Sequence, residues 1–304
     1  MVAGFKSFEK SMNLKKFTTK ALRTLRFTNR IFSTTLCASL CSLPLIFTPF
    51  STSAQTQDWD FYFTNIDDKP ASVGLNLALH DTAPLADKTY CLWIILKFQE
   101  SDSLGFPLEK ENETLNKLED ELEVYLQNKS QIIYAGRTTG KGERYFYFYS
   151  KSLDSVDVFI EEFFKNYSQY KYKLGQRYDE SWTLYFDFLY PSPLDLQLIY
   201  NHRIVEALAE NGDNPELPHH IDHWLNFEKK KDVAAFIKAL EGKNFTVEKN
   251  ETDKIHTTHP YSLQISQENK TDLETIDNSV LQLFELAEKF NGIYGGWETF
   301  VVTE

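Results

Sequence analysis

The chain's 304 residues carry 32 Lys and Arg against 44 Asp and Glu, a formal net charge of −12, and 15% of them are aromatic. That is enough material for two domains with separate cores, and the wrong sign of charge for gripping nucleic acid by its phosphates. Three cysteines, Cys37, Cys41 and Cys91, are too few for a disulfide scaffold.

Residues 1–30 hold eight basic residues (Lys6, Lys10, Lys15, Lys16, Lys20, Arg23, Arg26 and Arg30) and one acid, Glu9. An apolar run from Ile31 to Phe47 follows, then the small residues Ser51, Thr52, Ser53 and Ala54. This order predicts a cleaved signal peptide over residues 1–54 and export to the periplasm of a Gram-negative bacterium. Met12 offers a second start with a shorter basic stretch. The alternative is an uncleaved membrane anchor, but Pro44 and Pro49 break the run, and a spanning helix needs about 20 apolar residues. Cys37 and Cys41 each follow a Leu, which argues against a lipoprotein signal. Cleavage leaves 24 Lys and Arg against 43 Asp and Glu, a net charge of −19. Such a surface repels phosphate backbones and anionic membranes and steers a basic protein partner toward it. Membrane insertion after cleavage is not expected. Cys91 is then alone, so the cores must hold without a disulfide.

From Trp59 the residues alternate as in a half-buried strand, with Trp59, Phe61 and Phe63 on one face and Asp60, Tyr62 and Thr64 on the other. A turn at Asp67–Pro70 leads into a second strand through Val73, Leu75, Leu77 and Leu79. Residues 90–98 are apolar on both faces and predict a central strand. Leu115, Leu118, Leu122 and Tyr125 or Leu126 fall at helical spacing within 109–127. Strands at 131–138 and 143–150 flank a glycine-bearing loop, and Ser155 and Asp157 are expected to cap a helix to about Lys165. Strands at 170–176 and 182–189 complete a first unit over 57–191, which Pro191 and Pro193 close.

The second unit, 193–304, opens with a helix over 194–210, terminated by the stretch Asn211 to Pro215. Strand 221–227, helix 231–241, strands 246–249 and 262–267, helix 271–290 and strand 298–302 follow. The order β-α-β-β-α-β predicts a ferredoxin-like sheet with helices on one face. The fold class is therefore α+β in two domains, the first a mixed antiparallel sheet packed with two helices.

Four stretches of the second unit resemble the ribonuclease E inhibitor B (RraB) family: Arg203 to Asp213 (RIVEALAENGD), His220 to Phe227 (HIDHWLNF), Leu286 to Phe290 (LAEKF) and Tyr294 to Phe300 (YGGWETF). The first unit resembles domain of unknown function 695, through Trp59 to Phe63, residues 90–98, the hairpin Gly136 to Tyr149 and Tyr185 to Tyr190. The RraB resemblance implies a small acidic module that binds ribonuclease E in the cytoplasm and inhibits it. An exported chain would not meet that target, so fold and mode of action carry over before the partner does.

His219, His220 and His223, with His256 and His259, are the sharpest metal candidates. On a strand, however, His219 and His223 share a face with Ile221 while His220 and Asp222 point away, a poor zinc arrangement. Tyr145, Tyr147 and Tyr149 alternate with Phe146 and Phe148, so the Phe face is core and the Tyr face is an amphipathic surface open to a ligand role. Cys91 starts an apolar strand and reads as a buried, inert thiol. No Gly-x-Ser-x-Gly elbow occurs, and Gly140-Lys-Gly142 lacks phosphate-loop spacing. The acidic pairs Asp67–Asp68, Glu161–Glu162 and Asp179–Glu180 read as solvated, and Gly295–Gly296 as a turn before the last strand. The resulting expectation is a non-catalytic binding or regulatory protein without metal or cofactor, whose partner contact involves Glu206, Glu210, Asp213 and Asp222. Two rivals stand beside it: a cytoplasmic ribonuclease E regulator with a wrongly assigned start, and a ligand binder or enzyme using the Tyr face.

Overall fold

The computed structural model describes residues 57–252 and 258–303. The segment read as a signal peptide lies outside them, as does His256. In the first unit, six strands form one antiparallel sheet: β1 (Trp59–Ile66), β2 (Lys69–Asn76), β3 (Tyr90–Lys97), β4 (Ile133–Gly140), β5 (Glu143–Ser150) and β6 (Lys171–Tyr178). Their spatial order is β1-β2-β4-β5-β3-β6, so the apolar β3 lies inside the sheet. Helices α1 (Glu109–Ser130) and α2 (Val156–Phe164) cover one face. Their buried Leu115, Leu118, Leu122, Leu126, Ile160 and Phe163 meet Leu92, Ile94, Phe146 and Phe148 of the sheet. The spaced leucines of α1 thus become one wall of a core, each contributing about 1.5–3 kcal/mol on burial.

The opposite face departs from expectation. Residues 182–189 form no strand, because Leu184–Leu189 winds into a π-helical turn. Asp179 nucleates it, accepting from Thr183 N (3.0 Å), Leu184 N (3.0 Å) and Thr183 Oγ1 (2.7 Å). This segment lays Trp182, Tyr185, Phe188 and Leu189 over Cys91, Trp93, Tyr147 and Tyr149. The expected open Tyr face is accordingly a second core. Tyr147 and Tyr149 are buried, and Tyr149 stacks on Trp182 with centroids 3.8 Å apart. The sheet is covered on both sides. Two smaller expectations also give way. The second strand ends at Asn76, whose side chain caps a short 3-10 turn at Leu77–Asp81. Ser155 sits at the start of α2 but makes no capping bond, since its backbone is left-handed (φ 61°).

In the second unit, α3 (Pro193–Glu210) starts with Pro193 in its first turn and a reciprocal Ser192–Asp195 capping box. Strands β7 (His219–Phe227), β8 (Thr246–Thr252), β9 (Tyr261–Asn269) and β10 (Gly292–Glu298) pair antiparallel in the order β10-β7-β9-β8. Helices α4 (Lys230–Ala239) and α5 (Leu273–Lys289) supply the two crossovers, giving the ferredoxin-like arrangement. Ile276, Val280, Leu283 and Ala287 of α5 pack on Ile221, Leu225, Leu263 and Ile265. The last strand is earlier than expected, and Gly295 and Gly296 lie inside it. The register with β7 shifts between Tyr294 and Gly296, a bulge that needs Gly296 at φ 124°.

Helix α3 serves both cores. Its Ile199 is buried in the first unit's second core, while Ile204 and Leu208 belong to the core of the second unit. Arg203 ties the seam, with Nε 2.6 Å from Asp60 and Nη2 2.7 Å from Asp58.

Candidate partner-binding surface

The four carboxylates expected to meet a partner are not one patch. Glu206 and Glu210 are exposed on α3, with His202 3.7 Å from Glu206. Asp213 is an internal fastener and drops out of the contact set. Its side chain is 2% exposed and accepts from His219 Nε2 (2.7 Å), Thr271 Oγ1 (2.9 Å) and Val302 N (2.8 Å). Burial opposes ionisation of Asp213, but these donors outweigh it and hold its pKa below the ordinary aspartate value. A Gly-Asp pair after a helix reads as solvated in sequence; only the returning C-terminal segment, 89 residues on, covers it.

Asp222 lies on β7, on the sheet face that the helices leave bare. Alternation along β7 buries His219, Ile221, His223, Leu225 and Phe227 and turns His220, Asp222, Trp224 and Asn226 outward. Neighbouring strands add acids to this outer face. Glu298 of β10 stands across from Asp222, Glu268 of β9 bonds His220 Nδ1 at 2.9 Å, and Glu248 of β8 accepts from Ser266 at 2.6 Å. Gln264 donates to Asp222 at 2.8 Å, fixing that carboxylate over the strand. The Glu268 bond, with help from Asp222 and Glu248, raises the pKa of His220. The surface therefore presents a cluster of carboxylates about Asp222 and His220 with the half-buried Trp224 beside it, suited to cations on an extended chain.

The histidines separate as alternation dictates. His223 is fully buried, held between Tyr294 Oη (2.8 Å) and Gln267 Nε2 (3.0 Å), and burial pushes its pKa down to about 3. Both ring nitrogens of His219 face oxygen acceptors, the Leu217 carbonyl (2.9 Å) and Asp213. Among the described residues no three His, Cys, Asp or Glu side chains converge as metal ligands. The Cys91 thiol is buried, which pushes its pKa up.

Two polar clusters escaped the sequence reading. Asp179, expected as solvated, is buried at the head of the π-helical turn and also accepts from Tyr149 Oη at 2.7 Å. Burial works against its ionisation, yet Tyr149, Thr183 and Leu184 hold its pKa down. Glu119 of α1 is buried against two guanidiniums, Arg137 at 2.6 Å and Arg144 at 3.1 Å. Asn112 and Asn116 finish the coordination of Arg144 at 2.8 and 2.9 Å. Asn112, Asn116 and Glu119 recur at helical spacing, the one signal that marked a polar stripe on the inner face of α1. Beside the Tyr face there remains a recess of about 60 Å³ lined by Ile66, Ala71, Tyr145, Tyr147 and Phe188. At about 10–15 Å³ per water it holds a few solvent molecules.

The fold and this surface define a class: a two-unit α+β protein whose second unit is a ferredoxin-like module with an acidic, uncovered sheet. The comparisons agree with that division. The family of unknown function DUF695 matches residues 57–190, and the family described as regulator of ribonuclease activity B matches residues 198–299. A regulator of ribonuclease activity B from Salmonella typhi is 32% identical over 118 residues, 36% of this chain and 80% of that protein. Those of Pantoea ananatis (33% over 102 residues, 32% of this chain and 70% of that protein) and Xenorhabdus nematophila (26% over 113 residues, 36% and 79%) are similar to the same region. Through its second unit the chain belongs to the regulator of ribonuclease activity B family.

Proposed function

We propose that the protein is an exported, non-catalytic module that regulates a protein partner by binding it. The outer face of the second sheet, with Asp222, is the contact, and Glu206 and Glu210 on α3 lie apart from it. The observation that carries this reading is the grouping of Asp222, Glu248, Glu268 and Glu298 at one end of the sheet, beside Trp224, on a face that no helix among the described residues covers. Acids gathered there repel one another, a cost that a cationic segment laid across them relieves. Regulation by binding is the mode that the family's name supports. Export rests on the charge and apolar order of residues 1–54. It is tested by fusing residues 1–60 to a phosphatase active only outside the cytoplasm. For the contact, envelope extract is passed at low salt over immobilised wild-type protein and over the Asp222→Lys, Glu298→Lys variant. A partner retained by the first and lost by the second is expected. Equal retention, or none on either, sinks the reading.

A second reading, regulation of a ribonuclease inside the cytoplasm, draws on the names of the relatives. A silent phosphatase fusion would favour it.

A further inference from the structure

Four strands form the outer edges of the two sheets, and three carry devices that prevent edge pairing. Strand β6 presents Lys171, Lys173 and Arg177, β8 carries Glu248, Lys249 and Glu251 and is bulged between Val247 and Lys249, and β10 is bulged at its paired glycines. Strand β1 has none of these. It pairs with β2 through eight successive residues without a register shift, and it contains no Lys, Arg, Pro or Gly. Its one acid, Asp60, is taken up by Arg203.

The outward side of β1 is aromatic. Phe61 and Phe63 are 47% and 53% exposed, lie edge-to-face 5.8 Å apart, and continue into Phe106, 6.0 Å from Phe63. The backbone points the same way. Leu77 N donates to the Asp58 carbonyl at 2.7 Å, so the even-numbered residues of β1 turn their peptide groups toward β2. Strand alternation then turns those of Phe61 and Phe63 to the free edge. In the single chain the N–H of Phe61 donates to the Asp60 carboxylate at 2.8 Å, a local bond that pairing along this edge has to exchange for one across the strands.

We propose that this edge pairs with β1 of a second copy, antiparallel about a two-fold axis through Tyr62, joining the two six-stranded sheets. That register sets Phe61 opposite Phe63 of the second copy, and the reverse, both with outward peptide groups as a hydrogen-bonded pair requires. It sets Asp60 opposite Thr64 and Asp58 opposite Ile66, so no carboxylate of the strand meets another. Aromatic faces aromatic across the pair, and the two-fold closes the assembly at two chains. A second copy is the occupant favoured by this self-complementarity; the reading is independent of the acidic face.

The test uses the protein as isolated from the cell that makes it. Sedimentation equilibrium should give a dimer, tighter at about 0.2 M than at about 0.02 M salt because both chains are acidic. Amides of residues 61–65 should exchange more slowly at high protein concentration than at low. Phe63→Lys, a surface change that should leave the circular dichroism intact, is expected to weaken the dimer by at least about 30-fold. Tyr178→Lys on β6 should leave it unchanged. A monomer at about 100 μM overturns the proposal, as does a dimer whose β1 amides exchange alike at both concentrations. So does a monomer protected at β1 only by an added extended peptide.

Discussion

At the scale of single residues, three buried ionisable groups hold the molecule together, and each makes a measurable claim. Asp213 satisfies three donors from β7, the start of α5 and the C-terminal segment. Replacing it with Ala leaves those donors buried and unmet, a loss of about 2–4 kcal/mol in urea unfolding, with Val302 N among the first amides to exchange. A variant as stable as the parent would show that the carboxylate fastens nothing. Asp179→Asn should cost a similar amount, because the amide nitrogen that replaces one oxygen cannot accept and leaves either the two Thr183 donors or those of Leu184 and Tyr149 unmet. His223 sets a pH dependence. Its folded pKa, about 3, lies below the ordinary 6.5, so the unfolded chain takes up a proton that the folded one refuses. Its contribution is complete above pH 6.5 and is lost as pH falls toward 3. By pH 5 the loss is about 2 kcal/mol, before Asp213 and Asp179 begin to titrate. His223→Gln should flatten the stability difference between pH 8 and pH 5 by that amount. An unchanged slope would mean the imidazole is not excluded from protonation.

The elements show where local pattern sufficed and where it did not. Leucine spacing located α1, and the alternation of β7 put His219, Ile221 and His223 on one face and His220 and Asp222 on the other, as the structure has them. Residues 182–189 are ambiguous in kind. Trp182, Leu184, Tyr185, Phe188 and Leu189 fit a strand buried on both faces and a helical turn equally well. The choice falls to Asp179, which caps the segment, and to the sheet beneath it, which needs a cover. The same packing gives Gly175 its role. A Cβ there would sit 2.2 Å from the Trp93 ring, whereas one at Gly142, in the β4–β5 turn at φ 77°, meets nothing within 4 Å. Gly175→Ala should therefore cost about 2–3 kcal/mol through displaced indole, and Gly142→Ala about 1 kcal/mol through backbone strain alone. Urea midpoints in the reverse order would contradict the packing of β6 on Trp93.

For the whole molecule, α3 makes the two units interdependent. It buries Ile199 in one core and Ile204 and Leu208 in the other, and Arg203 neutralises Asp58 and Asp60 across the seam. Arg203→Ala leaves two carboxylates facing each other without a counter-charge. Because the cluster is part-exposed, the direct cost is about 1 kcal/mol. The clearer sign is expected in calorimetry, where the units should melt further apart than in the parent. Identical traces would mean the apolar contact of α3 alone couples them.

The sequence by itself determined the α+β class, the ferredoxin-like order of the second unit and the family resemblance. Those depend on periodicity and on short ordered motifs, which neighbours along the chain define. Only the tertiary structure decided which polar side chains are spent inside. Asp213, Asp179 and Glu119 read like any solvated acid until remote donors arrive: Val302 for the first, Tyr149 for the second, Arg137 and Arg144 for the third. A charged group is buried only when distant partners replace its water, and nothing adjacent in the chain records whether they will.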